Sequence, residues 1–216
     1  MNEAVQPLLI LGTGMFALEV ADLVSDMPRF RVAGFVENLD PERCREKREG
    51  LPVFWVDDIA HLAEDHCAVC SLATTHRRQF IEQVARHGVP FATLVHPTAR
   101  VSAKSTLGEG TTLSVNAIIA SHTRLGRHVR VNRGALIGHH TEIGDYVTIQ
   151  PGGNISGACQ IGEAVYIGSG AIVLDRITIG SHAVVGAGAV VTQDVPENVQ
   201  VVGVPARIVK ENIAGK

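Results

Sequence analysis

His139 and Gly157 stand 18 residues apart, and that spacing makes them candidates for shared chemistry. Histidine is a base near neutral pH. A glycine beside it leaves a backbone N–H open to a developing oxyanion. Acyl transfer needs a base and an oxyanion donor side by side. The two residues meet only if the chain returns on itself every 18 residues.

A period of that kind is present. From Val95 to Val191 every sixth residue is Val, Ile or Leu, 17 positions without a break. Neither a helix nor a plain strand repeats at six. A three-sided prism does: each side is a short strand, each corner a tight turn, and the aliphatic residue points inward. A second inward series lies four residues on and includes Thr111, Ala117, Thr123, Ala135 and Thr141. These residues are small or β-branched, as a narrow interior requires. Three sides of six residues give an 18-residue coil, so the stretch predicts a parallel β-helix of roughly five and a half coils. The 22 glycines are expected at corners, where φ is positive. Ile137 and Thr141 point inward, so His139 projects outward, with Gly157 about 4.8 Å above it.

The preceding residues read as a small α/β domain. Strand 8–11 runs into a glycine turn, Gly12-Thr13-Gly14-Met15-Phe16-Ala17, and then a helix over about 17–25. A second strand, 32–36, is closed by Glu37-Asn38. Short strands follow at 53–55 and 68–72, and a helix at 77–87. Strand, glycine turn and helix open a Rossmann-like unit, with helix N-terminal amides facing a phosphate. Glu37 sits where a ribose-binding acid would lie. A β-helix follows rather than the catalytic domain of a dehydrogenase, so a nicotinamide cofactor is not expected. The boundaries read as 1–92 for the Rossmann-like domain, 93–198 for the β-helix and 199–216 for a tail.

The glycine turn, the segment Ala-Thr-Leu-Val-His-Pro-Thr-Ala at 92–99 and the unbroken hexad together resemble one family. It comprises the sialic acid O-acetyltransferases and nucleotide-amino-sugar N-acetyltransferases, of bacillosamine and perosamine type, among the hexapeptide-repeat acyltransferases. The resemblance covers nearly the whole chain. It implies a left-handed β-helix, a homotrimer, and acetyl-CoA in the groove between adjacent β-helices. It implies that residues 12–16 (Gly12, Thr13, Gly14, Met15, Phe16), with Glu37 and Asn38, hold a nucleotide-linked amino sugar. The family's Asn and Ile-x-His-[Asp/Glu] pattern matches Asn132 and His139, and makes His139 the general base. Gly157 then supplies the oxyanion N–H, and no metal is needed. Acetyl-CoA falls to Ser169, Gly170, Ala187 and Gly188, with Arg207 and Lys210 for its phosphates. The family's carboxylate is replaced by His140; Glu142, Asp145 or another subunit is left to orient His139. The first loop also departs, with Met15-Phe16 in place of Gly-His, and Phe16 either stacks on a base or packs in the core. An O-acetylated sugar hydroxyl is the alternative reaction within the family.

Charge and composition narrow the classes. Net charge is −3, from 19 basic and 22 acidic residues, so neither nucleic acid nor an anionic membrane is expected as a partner. The start Met1-Asn2-Glu3-Ala4 is acidic and the apolar run 8–11 is short, so no signal peptide is read. No window reaches a membrane span, and a reducing cytoplasm is expected. Cys67 and Cys70 lie three apart in a strand and read as packed cysteines rather than a metal or redox pair. A zinc carbonic-anhydrase reading needs His-x4-His. His122 and His128 are one residue too far apart and lie on different sides of the prism. A purely structural β-helix predicts no binding of acetyl-CoA.

Overall fold

The computed structural model describes residues 5–216; Met1 to Ala4, with the acidic start, lie outside the described residues. Two compact units divide the chain, one of 1–73 and 77–96, the other of 74–76 and 97–216. The boundary thus falls a few residues beyond the 92/93 division expected from sequence.

In the first unit, β1 (Gln6–Leu11), β2 (Phe30–Glu37), β3 (Val53–Trp55) and β4 (Cys67–Cys70) form a parallel sheet in the order β3-β2-β1-β4. That is the order of doubly wound sheets. The helices are α1 (Met15–Ser25) and α2 (Arg78–Arg86). α1 begins two residues earlier than expected, because Gly14 is its N-cap and the glycine turn passes straight into the helix. Leu8, Ile10, Val20, Val24, Phe35 and Val69 pack the core. All four cysteines are free. Burial pushes the Cys67 thiol up to about 11, which keeps it protonated and inert.

The second unit is the β-helix. Each of the 17 hexad positions is the second residue of a two-residue strand, and strands pair in parallel with partners 18 residues on, as Leu125 does with Ile143. From Leu113 to Val191 every hexad residue is buried. Val95, also expected inward, is 38% exposed; Val101 and Leu107 are half-buried, since the first coil has no full coil beneath it to stack on. The second inward series is buried from Thr111 to Ala171.

Two expectations are corrected. Residues 199–216 are not simply a tail. Gln200–Val202 continues one face, and Arg207–Lys210 turns back on it antiparallel. Nor are the corners chiefly glycine: His122, His128, His140, Tyr146, Ala158, Ala164, Arg176 and His182 all take positive φ there. Each such residue carries roughly 1 kcal/mol of backbone strain, which the coil's regular hydrogen bonding overrides. No helix among the described residues is long and apolar enough to cross a membrane.

The three faces differ outside. One carries Ile118, Leu136 and Ile172, which are 41%, 39% and 37% exposed. A second carries Thr106, Arg124, Glu142, Gln160 and Thr178, all exposed and polar. On the third, Thr112, Arg130 and Thr148 are buried.

Candidate active site

The corner after Ile137 holds the predicted base. His139 is exposed, as its position between the inward Ile137 and Thr141 requires. Gly157 lies against it: a Cβ built on Gly157 would stand 2.7 Å from His139 Cε1 and 2.8 Å from Nε2. With the ring in this position no side chain fits between it and the Gly157 backbone. The Gly157 carbonyl accepts from Arg176 N–H, and Ala158 N–H donates to the His139 carbonyl. Among the described residues no acceptor is recorded for the Gly157 N–H. Its φ is not in the left-handed region, and the atoms nearest its missing Cβ are those of the His139 ring.

His140 occupies the next position with φ +55°. Its Nδ1 lies 3.1 Å from His139 Nδ1. The two rings meet edge to face at 84°, with centroids 5.2 Å apart. On its other side His140 stacks on His122 at 4.7 Å and 12°. That distance is the spacing between coils: residues 18 apart at a corner stack because the backbone does. The spacing of His122 and His128 pointed only to metal ligation, and their positions on different corners rule out a shared ion. The true neighbour of His122 is the ring one coil above, while His128 stacks on Tyr146 at a different corner.

The two carboxylates left to orient His139 are engaged elsewhere. Asp145 accepts from the Arg127 guanidinium at 2.8 and 3.0 Å and from Arg127 N–H at 2.7 Å. Burial pushes its carboxyl up, but these bonds and the adjacent positive charge outweigh it and hold the group below its ordinary value. Glu142 pairs with Arg124 at 3.5 Å.

Asn132 sits at the previous corner, at the other end of the Leu136–Ile137 strand. It is buried; its Oδ1 accepts from Arg133 N–H at 2.8 Å and its Nδ2 faces Gln150 Oε1 at 3.4 Å. Its side chain therefore braces its own turn, and no contact joins it to His139 among the described residues. This corner also carries Ser169, Gly170, Ala187 and Gly188, all exposed. Gly134, Gly152, Gly170 and Gly188 stack here at φ between +64° and +67°. A Cβ at Gly134, Gly170 or Gly188 would meet nothing within 4 Å. Space, rather than φ alone, separates this corner from the histidine corner. Beside it, Ser169 and Lys210 line a cleft of about 600 Å³ with Tyr166 and Lys216. Arg207 is exposed and bonds to the Ala206 carbonyl.

In the α/β unit, Gly12 has φ +104° and a Cβ there would meet Ser71 Oγ at 2.8 Å, so only glycine fits. Gly14 has open space where a Cβ would point. Met15 is 84% exposed, whereas Phe16 is half-buried against the core. Glu37 is buried, with Asn38 N–H and Leu39 N–H on Oε1, and Thr13 Oγ1 and Arg43 on Oε2. Burial raises its carboxyl, and these four partners together bring it below the ordinary value. Glu37 is thus saturated within the chain; it braces the glycine turn against the loop after β2. Asn38 donates to Gln83 at 2.7 Å. Residues not singled out from sequence complete the site: Arg43, Lys47 and Arg48 line a cleft of about 360 Å³ with Thr13, Gly14 and Met15. The one signal for them was the charge-rich loop 40–50.

Comparison with known proteins follows the same lines. The model of the bacterial transferase hexapeptide (six repeats) matches residues 158–193. Among curated proteins none matches the sequence. Solved structures do. The acetyltransferase domain of PglB from Neisseria gonorrhoeae is 28% identical, with TM-score 0.86 over 94% of this chain and all of that one. The Caulobacter crescentus perosamine N-acetyltransferase PerB, solved with CoA and GDP-perosamine, is 28% identical, with TM-score 0.86 over 97% of this chain and all of its own. WeeI from Acinetobacter baumannii is 28% identical, with TM-score 0.85 over 94% of this chain and all of that one. This chain is an acyltransferase that carries the hexapeptide repeat, similar over nearly its whole length to acetyltransferases, one of them solved with CoA and GDP-perosamine.

Proposed function

We propose that the protein transfers an acetyl group from acetyl-CoA to the amine of a nucleotide-linked sugar. The observation that carries this is the His139 ring standing over Gly157 at an open corner of the coil, its Cε1 and Nε2 within 3 Å of where a Cβ on Gly157 would lie. The amine nitrogen attacks the thioester carbonyl carbon. The Gly157 N–H faces the oxyanion, and His139 takes the amine proton. The C–S bond breaks, and the sulfur leaves as thiol with the proton held on His139. The Caulobacter relative, crystallised with CoA and GDP-perosamine, supports this substrate class.

The coil is taken as left-handed, the hand the resemblance implies and an exception to the right-handed crossover rule. The apolar face with Ile118, Leu136 and Ile172 supports a parallel homotrimer. It lies between the histidine corner and the glycine corner, so three such faces turned to a common axis bring the histidine corner of one subunit to the glycine corner of the next. The open glycine corner fits an extended pantetheine arm, with Ser169, Gly170, Ala187 and Gly188 along it. Arg207 and Lys210 are assigned to phosphates. In the Rossmann-like domain, the α1 N-terminus and the basic groups Arg43, Lys47 and Arg48 fit a pyrophosphate. Asn132 and Glu37 act as braces. A soluble cytoplasmic enzyme fits a reaction whose donor is acetyl-CoA.

Nucleotide-linked amino sugars, incubated with enzyme and acetyl-CoA, are expected to release thiol and gain an N-acetyl group. Gly14→Leu should raise KM for the sugar nucleotide and spare KM for acetyl-CoA, since its side chain enters open space. Equal turnover of the free amino sugar overturns the nucleotide reading, and an O-acetyl product overturns the amine.

A further inference from the structure

We infer that His140, held in place by His122, is the residue that positions His139, so that this enzyme runs on a histidine–histidine pair where a carboxylate would be expected. The inference rests on the reading of His139 as the base. Three geometric facts carry it. Cε1 and Nε2 of His139 lie nearer the place of a Gly157 Cβ, at 2.7 and 2.8 Å, than Nδ1 does at 3.2 Å, and Nδ1 meets His140, so the two ring nitrogens face different neighbours. The Nδ1···Nδ1 distance of 3.1 Å is a hydrogen bond that needs one donor and one acceptor. If His139 Nδ1–H donates to His140, then Nε2 of His139 is left bare at the glycine, ready to take a proton. The opposite arrangement would put N–H on the working edge and leave no base.

His140 is not free to turn away. Its backbone is fixed at φ +55° by the corner, and its ring lies flat on His122 at 4.7 Å. The ladder then ends: the coil above places Ala158 at this position, with no ring to continue the stack. The groups that face the pair are therefore few. His122 lies below, and Ser156, Gly157 and Ala158 above carry no charge. Lys104, two coils below, and Asp175 and Arg176, two coils above, all exposed, are the nearest charges along the same corner. The Arg124–Glu142 and Arg127–Asp145 pairs neutralise the charges on the adjoining face and corner. A neutral imidazole thus fixes the tautomer of His139 without the electrostatic support that a carboxylate gives a protonated ring.

The test has one readout in activity and one outside it. His140→Ala is expected to lower kcat between about 10- and 100-fold, the scale of misplacing a reacting group, with KM for both substrates unchanged. His122→Ala should cost less, acting only through His140. His140→Asp should recover much of the rate and move the acidic limb of the kcat/KM profile to higher pH, because a carboxylate favours the protonated ring. Independently, long-range ¹⁵N–¹H spectra of the histidine rings are expected to show His139 as the Nδ1–H tautomer in the wild type and to lose that preference in His140→Ala. Unchanged kcat, pH profile and tautomer in His140→Ala overturn the inference. A His140→Ala variant more damaged than His139→Ala overturns it too, by making His140 the base. If the wild-type protein acetylates no amino sugar and yet shows the Nδ1–H tautomer, the proposed function fails and the positioning stands.

Discussion

Two corners of the coil flank the same apolar face and solve the same backbone problem in opposite ways. At the histidine corner the positive-φ positions hold His122, His140, Ala158 and Arg176. At the glycine corner the equivalent positions are Asn116 and then Gly134, Gly152, Gly170 and Gly188, at nearly the same φ. If φ decided the residue, the two corners would read alike. Since side chains are tolerated at one, and by Asn116 in the lowest coil of the other, φ does not by itself require the run of four glycines from Gly134 to Gly188. A backbone stripped of Cβ atoms leaves room for a long thin ligand to lie along it. Gly157 marks a third case: its φ is not in the left-handed region, and the imidazole of His139 lies where its Cβ would be.

The comparison can be broken at its centre, at the histidine corner or at the glycine corner. The largest effect is expected from Ile118→Glu combined with Leu136→Glu, which puts like charges on the face between the two corners. If the site is shared between subunits, sedimentation should show monomers and activity should vanish; a stable, active monomer would separate the corners for good. His139→Ala is expected to lower kcat at least ~100-fold, the usual contribution of a general base, with acetyl-CoA binding by calorimetry little changed. A variant retaining wild-type kcat removes the histidine corner from the chemistry. The smallest effect belongs to Gly170→Leu. It should raise KM for acetyl-CoA about 10-fold while costing only roughly 1–2 kcal/mol of stability from left-handed strain. An unchanged KM would return that glycine to a purely backbone role.

How much of this was legible beforehand depended on distance along the chain. In a solenoid, neighbours in space are neighbours by arithmetic, since each coil contacts only the next. The hexad therefore located every strand from Val95 to Val191, and adding 18 to His139 found Gly157. The same arithmetic pairs His122 with His140. It cannot say which way a ring turns at a corner, and so Glu142 and Asp145 stayed open until the structure gave them to Arg124 and Arg127.

By itself the sequence determined the repeat, the inward series, the outward direction of His139 and the α/β unit before it, because periodicity and turn chemistry are local. Tertiary structure alone decided the rest. Glu37 is saturated because Thr13 and Arg43, far apart in sequence, converge on it. The cleft beside Gly14 draws Arg43, Lys47 and Arg48 from a loop with no period to read. Residues 199–216 fold back as a strand because an open sheet edge offers hydrogen bonds that no composition announces. His140 faces His139 across the corner, with φ +55° at His140 and 3.1 Å between the Nδ1 atoms, a geometry that only the folded backbone sets.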